Sequence, residues 1–356
     1  MAEIMQNTAP DRPAFYGKTM LITGAGGLIG STLVDTLLDM NDRNGAGITV
    51  YAAGRSREKL EKRFAAHGAS QFLKLVEGDI ARDDILVDTP VDYIVHAASP
   101  AHPLAYSKTP VDVMQANLLG TMRMLELARR SGARLLFISS GEIYGISSDP
   151  DAAFTEKEQG YIDILNPRSC YPESKRAAET LCASYHQQYG VDALVARLCH
   201  VYGPSITADN SRMDAQFLRC VLEQRDIVMK SPGTQVRSFC YVKDAASGLL
   251  CLLEKGAAGE AYNVANRHSI ASIREYAEVL AQGGGVNIFE EEQSRRHHKE
   301  LYANTAAHHV RTAFLVEMHH RDDAAEDEFI YVDHSVSHTV AHFLTGLNSL
   351  DSRYVS

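Results

Sequence analysis

The stretch Thr19-Met20-Leu21-Ile22-Thr23-Gly24-Ala25-Gly26-Gly27-Leu28-Ile29-Gly30 decides how this chain folds. Thr19 to Ile22 is a short run of apolar and β-branched residues, the signature of a buried strand. An apolar run at helical spacing follows from Leu28 to Met40. Between the two, Gly24, Gly27 and Gly30 recur at every third position. Each glycine has a task in a strand–turn–helix unit. The first permits a tight turn, the second lets backbone approach a pyrophosphate, and the third lets the helix pack on its strand. The helix start then offers free N–H groups and partial positive charge to the phosphates. The sequence therefore predicts a dinucleotide site at Gly24, Gly27 and Gly30.

The same alternation continues outward. Strands are predicted at Ile48 to Ala53, Phe72 to Val76, Tyr93 to His96, Leu135 to Ser139 and Asp192 to Arg197. Helices are predicted at Arg57 to His67, Val111 to Ser131 and Tyr171 to Tyr189. Nearly all-apolar strands alternating with helices imply a parallel sheet covered on both faces. The fold class is α/β, a doubly wound parallel sheet. It is expected over residues 17–200 as a dinucleotide-binding domain, with a returning segment near 236–265. After Arg197 the rhythm breaks at Gly203-Pro204 and Ser231-Pro232-Gly233, so residues 201–356 read mainly as a smaller C-terminal substrate lobe. Residues 1–16 are polar, carry two prolines and read as a flexible arm. The tail 281–356 is atypical, with nine of the fifteen histidines, including His297-His298, His308-His309 and His319-His320. Neither cysteine nor a clear carboxylate partner accompanies these pairs, so no metal site is assigned.

Composition narrows the partners. The chain has 356 residues, with 35 Lys and Arg against 45 Asp and Glu, a net charge of −10. An acidic chain whose basic clusters are no longer than a pair repels phosphate backbones, and nucleic acid is not expected. No stretch approaches the roughly 18 unbroken apolar residues of a membrane helix, and no membrane partner is expected. The first residues lack the basic start and apolar core of a signal peptide. Six scattered cysteines without a C-x-x-C pair suit reduced thiols in the cytoplasm.

The chemistry-bearing residues fall at strand ends and on one helix. The second strand ends Ala52-Ala53-Gly54-Arg55-Ser56 rather than in an acidic residue that would hold a ribose 2′-hydroxyl. Arg55 with Ser56 could hold a 2′-phosphate, Arg55 could stack on adenine, or Arg55 is a solvated residue before the next helix. NAD and NADP both stay open on this reading. Asp79, beside Ile80, is a candidate for the adenine edge or a cap of the next segment. In Tyr171-Pro172-Glu173-Ser174-Lys175, Lys175 lies one helical turn beyond Tyr171 on the same face. A phenol titrating near ~10 needs nearby positive charge to act as a base, and the Lys175 ammonium together with a positive nicotinamide ring is expected to lower it. Ser140 ends the fifth strand, placed to hydrogen-bond a substrate hydroxyl or ketone beside Tyr171. Glu142 at the same edge is a candidate acid/base, or a solvent-facing loop residue.

Together these pieces resemble the NAD-dependent epimerase/dehydratase family of extended short-chain dehydrogenase/reductases. The resemblance spans roughly residues 17–280. It rests on Thr23 to Gly30, His96-Ala97-Ala98-Ser99, Asn117 to Thr121, Ser139 to Gly145, Tyr171 with Lys175, Arg197 with Val201-Tyr202-Gly203-Pro204, and Arg237-Ser238-Phe239 leading to Asp244. The resemblance implies a Rossmann-type sheet and a nucleotide-sugar substrate. It also implies a Ser140–Tyr171–Lys175 centre that oxidises the sugar C4 hydroxyl with bound NAD and later re-reduces it. It implies cofactor contacts at Leu28, Ile29, Ile80, Ala97 and Ala98, and substrate contacts at Ser99, Ser140, His200 and Arg237, the last on the diphosphate or a carboxylate. A homodimer through the helix from Val111 and the helix carrying Tyr171 is implied as well.

Within the family, Gly141 stands where the 4,6-dehydratases carry an acid, and Glu142 is kept as in UDP-glucuronate decarboxylases. The strings His96 to Ala101 and Arg168 to Tyr171, and Lys175-Arg176 with Glu179, are also similar to those decarboxylases. His200 departs from the Asn usual before Val-Tyr-Gly-Pro. The readings carried forward are a decarboxylase-like enzyme, a 4-epimerase or 4,6-dehydratase, an NADP-dependent reductase, and a non-catalytic dinucleotide sensor.

Overall fold

The computed structural model of the chain describes residues 12–147, 154–204, 210–266 and 268–291. The first half runs β1 (Thr19–Thr23), α1 (Leu28–Asn44), β2 (Thr49–Gly54), α2 (Arg57–Arg63), β3 (Leu73–Glu77), β4 (Tyr93–His96), α3 (Pro103–Lys108), α4 (Pro110–Ser131), β5 (Arg134–Ser140), α5 (Cys170–Tyr189) and β6 (Ala193–Leu198). The second half runs β7 (His200–Tyr202), α6 (Met213–Leu222), β8 (Ile227–Met229), β9 (Val236–Tyr241), α7 (Val242–Lys255), β10 (Ala261–Val264), β11 (Ile270–Ser272), α8 (Ile273–Gly284) and β12 (Ile288–Glu290).

Seven strands pair in the order β3-β2-β1-β4-β5-β6-β10, and every neighbouring pair is parallel. The chain moves outward from β1 to β3, then returns to place β4 on the other side of β1. That reversal opens a crevice beyond the carboxyl ends of β1 and β4, where ligands bind in open α/β sheets. The sheet is buried on both faces, as its apolar strands require. One face packs Leu33, Val34, Leu37 and Leu38 of α1 with Leu249, Leu250 and Leu253 of α7. The other packs Met124, Leu125 and Ala128 of α4 with Ala178 and Cys182 of α5. Each buried Leu contributes about 1.5–3 kcal/mol by leaving water.

Two small sheets follow the break in rhythm: β11-β9-β7, and β12 paired with β8. They enclose a separate aromatic core in which Phe239 and Tyr276 stack at 4.5 Å.

Several boundaries differ from the sequence expectation. Residues 12–16, expected within a flexible arm, are packed on the domain. Arg12 is buried and pairs with Glu254 at 2.7 Å, and Phe15 is fully buried, edge-on to Tyr93 at 5.1 Å. One aromatic anchor outweighs the polar, proline-bearing composition around it; residues 1–11 lie outside the described residues. The helix expected over Arg57 to His67 stops at Arg63 and resumes as a 3₁₀ turn over Ala65–His67. The beginning of the atypical tail is ordered structure, since α8 reaches Gly284 and β12 ends at Glu290. The paired histidines lie outside the described residues.

Candidate active site

The glycine turn sits at the crevice. Gly24 has φ +68°, and a Cβ there would lie 2.7 Å from Ala98 Cα and 2.8 Å from the Ala97 carbonyl. A Cβ on Gly30 would lie 2.3 Å from the Gly24 carbonyl oxygen. The turn can therefore close only with glycine at both positions. Gly27 is the N-cap of α1 and supplies no side chain to the first turn, which also carries no acidic residue. The N–H groups of Leu28, Ile29 and Gly30 are left pointing beyond the strand end, as a dinucleotide diphosphate requires. Across the crevice, Ser99 Oγ is buried with no hydrogen-bond partner among the described residues. A glycine-lined cradle, an open helix start and an orphaned hydroxyl all fit a bound dinucleotide and its substrate.

At the adenosine end, Ser56 caps α2, its hydroxyl oxygen accepting from Lys59 N. Arg55 is exposed at the end of β2. Asp79 Oδ1 accepts from Ala81 N, which is the capping alternative, and Ile80 packs against Gly120 of α4.

The catalytic candidates converge at the end of β5. Ser140 Oγ accepts from Glu142 N at 3.2 Å and bears on the Tyr171 phenol, favouring its ionised form. Tyr171 is buried at the start of α5 and stacks on Tyr106 of α3 at 4.8 Å. Lys175 lies one turn deeper, its Nζ 5.9 Å from the Tyr171 ring centre and 4.5 Å from that of Phe137. It donates to the Ile138 carbonyl at 2.7 Å. Asn117 Nδ2 donates to Ser174 Oγ, which donates to the Tyr171 carbonyl, so α4 holds the start of α5 in place.

The electrostatics of the chain alone bear on the expected Tyr171 phenolate. Burial, with the Glu142 carboxylate, pushes the Tyr171 phenol up to about 12, against the Ser140 hydrogen bond and the guanidiniums of Arg212 and Arg168. Burial likewise pushes Lys175 down to about 7, against the Glu179 carboxylate. The protein's own groups do not lower the phenol, because withdrawing the phenolate from water, beside the Glu142 carboxylate, outweighs Ser140 and the two guanidiniums. A bound positive group is what would turn the phenol toward ionisation.

Glu142 does not stand free. Its carboxylate pairs with Arg168 at 2.9 Å, both side chains being nearly half exposed. Arg168 also lies 4.4 Å above the Tyr106 ring. The sequence sets Arg168 apart as the start of the Arg168 to Tyr171 string but assigns its side chain no role. Nothing local marks Tyr106 or Arg212, which arrive from α3 and from the approach to α6. His200 and Arg237 occupy β7 and β9 on the small-lobe side of the site. Arg237 donates to the Val236 carbonyl, and its charge bears on His200. Behind the site, Glu179 pairs with Arg197 at 2.7 Å and accepts from Ser139, and Arg197 donates to Tyr144 Oη.

Comparisons with known proteins agree with this geometry. Residues 20–265 match the profile of the NAD dependent epimerase/dehydratase family. UDP-glucuronic acid decarboxylase 3 of Arabidopsis thaliana is 37% identical over 266 residues, covering 74% of this chain and 73% of its own. The dTDP-glucose 4,6-dehydratase of Bacillus anthracis in complex with NAD superposes with a TM-score of 0.70 at 18% identity, over 93% of this chain and 97% of that one. The dTDP-glucose 4,6-dehydratase of Streptomyces venezuelae, with NAD bound, gives 0.64 at 26% identity over 78% and 85%.

Proposed function

The chain belongs to the NAD-dependent epimerase/dehydratase family, and within it we propose that this enzyme decarboxylates a UDP-hexuronate through a 4-keto sugar, keeping its NAD bound. The observation that carries the reading is the convergence of Ser140, at the carboxyl end of β5, with the buried Tyr171 and the buried Lys175 one helical turn along α5. Gly24, Gly27, Leu28, Ile29 and Gly30 would hold the diphosphate, with Ala97, Ala98, Asp79, Ile80 and Arg55 along the rest of the dinucleotide. When bound, NAD supplies a reversible hydride acceptor.

Tyr171 Oη takes the proton of the sugar C4 hydroxyl and later returns it, while Ser140 orients that oxygen. Lys175 stands one turn below to stabilise the phenolate. A carboxylate β to a ketone needs no base from the chain. As CO₂ leaves, the C5–C6 electron pair moves toward the C4 carbonyl, where Tyr171 and Ser140 are the donors placed to meet the charge on that oxygen; the enol then takes a proton at C5 before C4 is re-reduced. Arg237, His200 and Ser99 line the substrate side. Gly141 offers no acid for expelling a hydroxyl, which favours decarboxylation over 4,6-dehydration.

The seven-stranded sheet serves as the dinucleotide domain and the two small sheets as the substrate lobe. The exposed α4 residues Val111, Met114, Leu119 and Met122 support a homodimer through α4 and α5. Six free thiols support a cytoplasmic setting. No helix among the described residues is long and apolar enough to cross a membrane.

Incubation with UDP-glucuronate and no added cofactor should release CO₂ and a UDP-pentose. Tyr171→Phe should cut the rate by about 10²–10⁴-fold. Retention of the carboxylate with inversion at C4, read by NMR of the product, would replace this reading with 4-epimerisation. Light scattering on a sizing column checks the dimer.

A further inference from the structure

The small-lobe wall of the site holds a charge that the proposed reaction does not use. Asp214, in the first turn of α6, is fully buried. Its Oδ1 lies 3.2 Å from His200 Nε2 and 3.4 Å from Arg212 Nε, as ion-pair contacts rather than straight hydrogen bonds. Removing a carboxylate from water costs several kcal/mol unless partners answer it. Burial pushes this carboxyl up, but Arg212, His200 and the Ala215 N–H hold it well below the usual carboxylate range. Arg212 in turn donates to the Val201 carbonyl and bears on the Tyr171 phenol, so the pair adjoins the reacting centre.

His200 is 17% exposed while its Nε2 is buried, so the open side of the ring faces away from Asp214. Phe239 meets the ring edge-on at 5.2 Å. The charged groups bearing on it are Asp214 and Arg212 at the start of α6 and Arg237 on β9; Tyr276 of α8 adjoins Asp214, and Tyr202 shares its strand. Burial and the two guanidiniums keep the imidazole neutral. A neutral imidazole carries one N–H, and beside an ionised carboxylate that proton belongs on the facing nitrogen.

We infer that Asp214 is a positioning residue that fixes His200 as its Nε2–H tautomer, so that Nδ1 presents a bare hydrogen-bond acceptor to the substrate. The wall then selects a substrate with a hydroxyl or N–H donor at that point. An Asn amide there could donate or accept; this imidazole only accepts. The substrate class rests on the proposed function, whereas the tautomer does not.

The test is a long-range ¹H–¹⁵N spectrum of the full chain labelled in histidine, with His200 assigned by its loss in His200→Asn. The expected pattern is a protonated Nε2 and a bare Nδ1. An Nδ1–H tautomer, or a cationic ring near neutral pH, overturns the inference even if Asp214→Asn fails to fold. With UDP-glucuronate as substrate, Asp214→Asn should lower kcat/KM about tenfold or more, but less than about threefold when His200 is already Asn. Equal losses in both backgrounds would make Asp214 merely structural. Absence of turnover with UDP-glucuronate would remove the proposed reaction and leave the spectrum to decide this inference.

Discussion

Lys175→Met should abolish turnover while removing a pH-dependent burden on the fold. The ammonium is buried, and its pKa falls from 10.5 to about 7. Each pKa unit is worth about 1.4 kcal/mol, so the fully charged group costs the native state about 5 kcal/mol relative to the unfolded chain. The folded value lies below the unfolded one. The cost is therefore complete below the folded value, fades as pH rises toward 10.5, and is gone above it. At about pH 7 roughly 4 kcal/mol remains, and at about pH 9 roughly 2 kcal/mol. Wild-type stability should thus gain about 2 kcal/mol across that window relative to the Met variant. At about pH 7 the variant loses the hydrogen bond to the Ile138 carbonyl, worth about 1–3 kcal/mol when a buried acceptor is stranded. It should still be at least as stable as wild type there. Denaturant midpoints at the two pH values measure this directly. Parallel pH dependence in the two proteins would refute the buried-ammonium reasoning.

Three further outcomes are expected. Gly24→Ala places a Cβ at positive φ and 2.7 Å from the Ala98 backbone, so the turn should lose about 2–5 kcal/mol and the protein should retain less NAD on purification, read by absorbance and by melting. Glu179→Gln leaves Arg197 charged and about nine-tenths buried without its carboxylate, and should cost about 3–5 kcal/mol by denaturant titration. His96 is buried and its pKa falls from 6.5 to about 3, so its stabilising contribution is complete above 6.5 and is lost as pH falls toward the folded value. By about pH 4 the wild type should have lost about 3 kcal/mol more than His96→Asn, measured as the difference between their denaturant midpoints.

Local chemistry carries the order of strands and helices and the glycine turn. Period, propensity and the need for φ > 0 act within a few residues, and Thr19 to Gly30 states all three. The pairing of Tyr171 with Lys175 is legible for the same reason, since one helical turn fixes which side chains share a face. What lay beyond the sequence is everything decided by water and by distant neighbours. Composition reads residues 12–16 as an arm, but a core pocket captures Phe15. Spacing places an ammonium near a phenol, but only the packed interior shows that burial pushes the phenol up and the ammonium down. Glu142 reads as a free acid until Arg168 folds onto it. Asp214 carries no mark as a residue of the site, because His200 and Arg212 meet it only once β7 and α6 are brought together. Burial and long-range charge depend on the whole chain, and a run of letters records neither.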